Sequence, residues 1–292
     1  MKKKVLFPLI TLLLTFTLAC SLFNPTLFGS DDATSPEDAP AEIPAESVPN
    51  ETSPSSSDSG ACNNIFYPLV VGQQTIYKST SPEGETKTGL TVSKVEGNFA
   101  TVDMLNISTG IVSQSIAECE DGALKNFPAA TMGSAFGDML NGAMTMDYVS
   151  GYIAPSEATF IANNWDMSWE SEYVMNGEIT MDEEGESMTA TIDNSPVLMK
   201  WKTVSTGETV IVEAGTYTNV VKVSREMTMN ITIDMDGTKL DSELVIQSTH
   251  WFEPYIGMVK MEITEVSISM EGITFPVPMN ETMELIEFRA AK

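Results

Sequence analysis

The sequence predicts an all-β domain, mainly antiparallel, carried behind a signal peptide and a disordered linker. Three observations carry this. First, residues 217–235 alternate with period two. Tyr217, Val221, Val223, Met227, Met229, Ile231, Ile233 and Met235 fall on one face, and Ser224, Glu226, Thr228, Asn230, Thr232 and Asp234 on the other. That is the pattern of one long, half-buried strand. Second, Asp236-Gly237 follows as a hairpin turn signal, with another strand over 243–252. Third, short alternating runs separated by turn residues recur from 74 to 288, and a single stretch has helical spacing. About twelve strands and one short helix fit a strongly curved sheet, a half-barrel or open barrel around the helix. A two-sheet sandwich is the alternative.

The chain opens with Lys2-Lys3-Lys4 and an apolar run over 5–18, closed by Ala19-Cys20. This reads as a signal peptide. The run is shorter than the roughly 20 apolar residues that span a bilayer, and Pro8 lies inside it. A cysteine directly after the run resembles a lipoprotein signal, with Thr17 departing from its usual apolar residue. The resemblance implies removal of residues 1–19 and acylation of Cys20, which then anchors the chain in a membrane. A plain secretory signal cut nearby, leaving a free thiol, is the other reading.

Residues 20–61 form the expected tether. Between Ser21 and Ala61 there is no Lys or Arg, and after Gly29 the composition is dominated by Pro, Ser, Asp, Glu, Ala and Thr. Such a stretch cannot bury a core. As a coil of about 40 residues it reaches on the order of 35 Å, and its charge extends it further.

The whole chain has 41 acidic and 15 basic residues, a net charge of −26. Loss of Lys2, Lys3 and Lys4 takes it to −29. Such a surface repels nucleic acid and anionic headgroups and keeps the protein soluble.

The domain is expected over 62–292. Cys62 and Cys119 are the thiols left once Cys20 is acylated, and in an oxidising compartment an even pair suggests a disulfide. Closing that loop is worth about 4 kcal/mol in the loop-entropy picture. Strands are expected at 74–80, 86–95, 98–107 and 110–119, forming a meander with turns at Pro82-Glu83-Gly84 and Glu96-Gly97. Next come a strand over 165–175 and three shorter ones at 188–192, 197–204 and 208–212. The long pair described above follows them. In 257–270 the apolar phase changes from Val259, Met261 and Ile263 to Val266, Ile268 and Met270. A β-bulge near Thr264-Glu265 produces such a change. The last strand is expected at 282–288. The helical stripe is Met132, Ala135, Phe136, Met139, Leu140, Ala143 and Met144, weakened by Gly133, Gly137 and Gly142. A Gly-rich loop is its alternative.

Several landmarks resemble a known family. Cys62-Asn-Asn-Ile-Phe-Tyr-Pro with Gly72 and Tyr77, Cys119-Glu-Asp-Gly122-Ala-Leu, Val212-Glu-Ala-Gly-Thr-Tyr217, and His250-Trp-Phe-Glu-Pro-Tyr-Ile-Gly257-Met-Val-Lys260 are similar to motifs of the TapB-like group. These are secreted, β-rich bacterial proteins of unknown function. His250 stands where that pattern has an aromatic residue, and Glu213 where it has Pro. The resemblance implies a half-barrel similar to the lipoprotein-localisation type, a fold that holds acyl chains. Fold analogy of this kind does not assign a function.

Candidate chemistry is sparse. His250 is the single histidine, which argues against His-rich metal sites, and as part of a strand motif it reads as structural. Two distant cysteines with one His do not make a zinc site. No Gly-rich phosphate loop, His-Glu-x-x-His or Gly-x-Ser-x-Gly is present. Asp234-Met-Asp236-Gly237 imitates a calcium loop but lacks its later ligands, and the acidic run 182–186 reads as a solvated turn. No enzyme activity, metal or cofactor is therefore expected. Arg225 falls in the apolar row between Val223 and Met227, where a charge needs a partner. That partner is either a protein carboxylate or the headgroup of a bound molecule. With Tyr217, Met227 and Met229 it forms the candidate ligand-binding set. The expectation is a lipid-anchored, extracytoplasmic lipoprotein of the bacterial envelope that binds an apolar ligand or lipid. A scaffold that binds an envelope protein and no small ligand is the alternative.

Overall fold

The computed structural model describes residues 60–82, 84–128, 145–183, 186–235, 238–270 and 272–291, with side chains except at 178–183, 186–191, 233–235 and 238–240. The expected signal peptide, most of the expected tether and the helical stripe expected at 132–144 lie outside the described residues. The fold class matches the expectation: thirteen strands make one antiparallel, nearly closed barrel-like sheet.

The strands are β1 Gln74–Ser81, β2 Gly84–Glu96, β3 Phe99–Asn106, β4 Val112–Glu120, β5 Ala123–Asn126, β6 Thr145–Gly151, β7 Ser168–Glu183, β8 Glu186–Val212, β9 Gly215–Met235, β10 Thr238–Glu253, β11 Gly257–Met270, β12 Ile273–Pro276 and β13 Thr282–Arg289. They lie in the order β5-β4-β3-β2-β1-β13-β11-β10-β9-β8-β7-β6, with β12 on β11. Two consecutive meanders are thus joined by β13, which pairs with β1 over Gln74–Thr80 and with β11 at Lys260–Glu262. The two ends of the sheet meet at one isolated bridge, Leu124 with Ala154, where Leu124 N–H donates to the Ala154 carbonyl at 2.8 Å.

The expected bulge in β11 is present. Gln247 faces Glu265 and Ser248 faces Ile263, so Thr264 is skipped and the buried side changes phase. Residues 188–212 need correction: the three short strands expected there are parts of β8, which runs 27 residues. Turn-like residues such as Ser205 and Gly207 are absorbed as register shifts against β9, because that partner continues alongside and sustains the ladder.

Also unforeseen are β5, β6, β12 and the one described helix, α1 (Glu157–Ala162), capped by Ser156 and burying Phe160. Gly151 at the end of β6 is required, since it has φ +87° and a Cβ there would lie 2.0 Å from the Glu170 carbonyl oxygen. Gly60 and Ala61 are hydrogen-bonded to the segments that follow them. Asn63 N–H donates to the Gly60 carbonyl and Gly122 N–H to that of Ala61.

Cys62 and Cys119 are joined in a disulfide, both fully buried. Residues 62–69 then fold back as a tight loop into the mouth of the barrel, with Asn63 bridged to Pro68. Asn64 organises this plug. Its side-chain amide donates to the carbonyls of Gly122 (2.8 Å), Pro155 (2.9 Å) and Ala154 (3.3 Å), and its Oδ1 accepts from the backbone of Phe66 and Tyr67.

Candidate functional site

The inward row of β9 carries the site. Val221, Val223, Arg225, Met227 and Met229 are all buried, as period two requires. Register places Trp201 of β8 on one side of Arg225 and Ser248 of β10 on the other. The guanidinium carbon lies 5.4 Å from the Trp201 ring centroid, and Arg225 Nε–H donates to Ser248 Oγ at 3.1 Å. Ser248 Oγ is in turn 2.9 Å from His250 Nε2.

Burial pulls the Arg225 pKa down to about 10, which leaves it charged at neutral pH, while Tyr67 and the buried Glu281 act in the opposite direction. The partner that a charge in this row needs is therefore available within the protein. His250 is fully enclosed, and burial first and Arg225 second hold its pKa well below the usual range. It is a neutral core histidine.

Around this charged island runs a continuous aromatic stack. Trp169 lies over Trp201, Trp201 is tilted against His250 at 5.3 Å, and His250 is stacked on Phe252 at 6.0 Å. Phe252 stacks on Phe66 of the plug at 4.6 Å, and Phe66 packs on Phe160 of α1 at 4.8 Å. The stack thus links the island to the plug.

Of the candidate ligand-binding set, Arg225, Met227 and Met229 lie together on the buried face. Tyr217 does not join them, being eight residues from Arg225 along the strand, or about 25 Å at the usual rise. Methionine lines much of the same wall: Met175, Met199, Met227, Met229, Met261 and Met283 are all buried. A half-open depression lined by Tyr67, Tyr77 and Phe127 holds about 50 Å³. A larger concavity, about 730 Å³, is lined by Glu170, Lys200, Glu226 and Gln247 together with Trp201, Arg225 and Ser248 of the island.

Beside it, Trp251 lies between Lys222 (5.3 Å) and Lys260 (5.5 Å) and donates to Glu208 at 3.1 Å. Hydrogen bonds from Ser205 and then Trp251 hold the Glu208 carboxyl below the usual range. Among the described residues, no group of three His, Cys, Asp or Glu side chains is placed to hold a metal.

Sequence reasoning missed Ser248, Glu281 and Asn64. The alternation of β10 places Ser248 and His250 in one inward row, so their proximity was available in the pattern. Glu281 lies just before β13 and Asn64 in the plug, and no periodicity marks either.

No family model and no curated protein matches the chain. The resemblance to the TapB-like group rests on the quoted motifs alone. Two solved structures align with it. One, from Bacteroides fragilis, is described as an exported protein with a YmcC-like fold. It shares 14% identity at a TM-score of 0.45, covering 78% of this chain and 100% of that one. The other, described as a lipoprotein from Parabacteroides distasonis, shares 16% identity at 0.47, covering 77% and 99%. Both are remote likenesses of fold and leave the chemistry open.

Proposed function

We propose that this chain is an acyl-anchored extracytoplasmic domain that works by binding, without catalysis, and that its partner is a protein of the bacterial envelope. Cys20 would hold the membrane and the acidic tether would hold the domain clear of it. The observation that carries this reading is the apolar surface presented outside: Phe99 and Leu105 of β3 and Val112 and Ile116 of β4 are 53%, 39%, 63% and 59% exposed. The outer faces of these adjacent strands supply the contact area in this reading.

A second reading is favoured by the methionine wall, whose side chains are the most adaptable of apolar residues. Here the barrel opens to admit an apolar ligand or lipid, and Arg225, Met227 and Met229 meet it. Native mass spectrometry of the full chain carrying Cys20→Ser separates the two. The expected result is a bare mass, two hydrogens light for the disulfide. Fatty acid or phospholipid released on denaturation, and lost in Arg225→Ala, would replace the first reading with the second.

A further inference from the structure

The single histidine of the chain occupies a place that the binding reading does not use. His250 stands between the charged island and the plug, touching the first and linked to the second through Phe252. On one side its Nε2 meets Ser248 Oγ, which already accepts the N–H of Arg225. On the other its ring stacks on Phe252, and Phe252 on Phe66 of the plug. Its Nδ1 is buried and has no hydrogen-bond partner among the described residues. The same is true of Nε1 of Trp201, whose ring is 5.3 Å away.

Consider where a second proton would go. If Nε2 accepts from Ser248, the proton must enter at Nε2, facing a hydroxyl already held by Arg225. If Nε2 carries the hydrogen, the proton must enter at Nδ1, where no acceptor waits. Either way an imidazolium arises in the core beside a guanidinium. The charged group that acts on it is Arg225 from β9, and Tyr67 of the plug and Glu281 ahead of β13 act in turn on Arg225. The strands β8, β10 and β11 present Trp201, Thr203, Ser248, Phe252 and Met261 to this region, and none of these is a counter-charge. A buried like-charge pair of this kind is relieved by opening.

We propose that His250 is an acid-released latch on the plug: taking up a proton, it breaks the stack through Phe252 and Phe66 and frees residues 62–69 from the barrel mouth. The loop stays attached, since the disulfide at Cys62 holds one end to β4 and β1 continues from the other. What opens is the interior with its methionine wall. The inference holds whether the partner is a protein or a lipid.

The direction follows from linkage. The closed state keeps His250 neutral, while in the open state the ring titrates near 6.5. The closed state is therefore fully favoured above pH 6.5 and loses ground as pH falls below it. At pH 5 the open-to-closed ratio rises by up to about 30-fold over its value at pH 8, the limit for a closed state that takes up no proton.

The test uses the full chain in detergent. Amide exchange of 62–69, corrected for its intrinsic pH dependence, and acrylamide quenching of tryptophan are followed from pH 8 to pH 5. Loss of protection at 62–69 and a rise in quenching, both absent in His250→Phe, are the expected result. The same transition in the His250→Phe variant, or no transition in the wild type, would overturn the proposal. Should the Phe variant fail to fold, His250→Gln and the ring resonances of the lone histidine decide. A ring that titrates near 6.5 while residues 62–69 stay protected would sink the latch.

Discussion

The plug end of the barrel and its methionine wall are both apolar interiors, yet they are held in different ways. At the plug end, position is fixed by direction. Asn64 satisfies three carbonyls and two N–H groups, and the rings of Phe66, Phe252 and Phe160 stack in order. Along β7, β8 and β9, Met175, Met199, Met227 and Met229 are buried and fill volume with thioethers that hydrogen-bond only weakly. The first arrangement has one solution. The second has several of similar energy, because an unbranched thioether repacks easily. One barrel therefore combines a rigid mouth with a deformable wall.

Substitutions break or sharpen that contrast. Phe66→Ala removes the ring that fills the mouth and should cost about 3–5 kcal/mol by chemical denaturation. A cost below about 1 kcal/mol would mean that the plug contributes little to closure. Asn64→Ala removes the hub of the loop and leaves Phe66 and Tyr67 N–H groups buried without their acceptor. About 2–3 kcal/mol should be lost, read from the same curves. On the other wall, Met227→Leu conserves volume and should cost less than about 1.5 kcal/mol, with the denaturant slope unchanged. A larger loss there would show that the wall is as specific as the mouth.

The difference in physical origin also explains what could be read from the chain. The long strands were legible because one face is buried and the other wet, so Val223, Met227 and Met229 alternate with Ser224, Glu226 and Thr228. Hence the inward direction of Arg225 and the bulge at Thr264 could be inferred before any coordinates. Strand β5 has four residues and β12 four, too short for a period to register. Helix α1 has six, and its signal is a capping serine with one apolar anchor, Phe160. Within the site, Arg225 was conspicuous because it breaks a pattern, whereas Glu281 and Asn64 lie where there is no pattern to break. The partner of a buried charge is a tertiary fact, and it came from a segment 56 positions away in sequence.

The place of β13 has a consequence for the timing of assembly. It joins the two meanders, and its Arg289 contacts Gln74 across 215 positions of sequence. Each meander can form from neighbouring hairpins, but the join must wait for a closure that spans most of the domain, the slowest kind of contact to make. Since β13 is synthesised after every other strand, the flanks of β1 and β11 remain unpaired until the whole domain has been made. A nascent chain with this topology stays unlocked for as long as its C-terminal strand is still on the ribosome. Under the extracytoplasmic reading proposed above, that delay would keep the chain unfolded for its passage through a membrane.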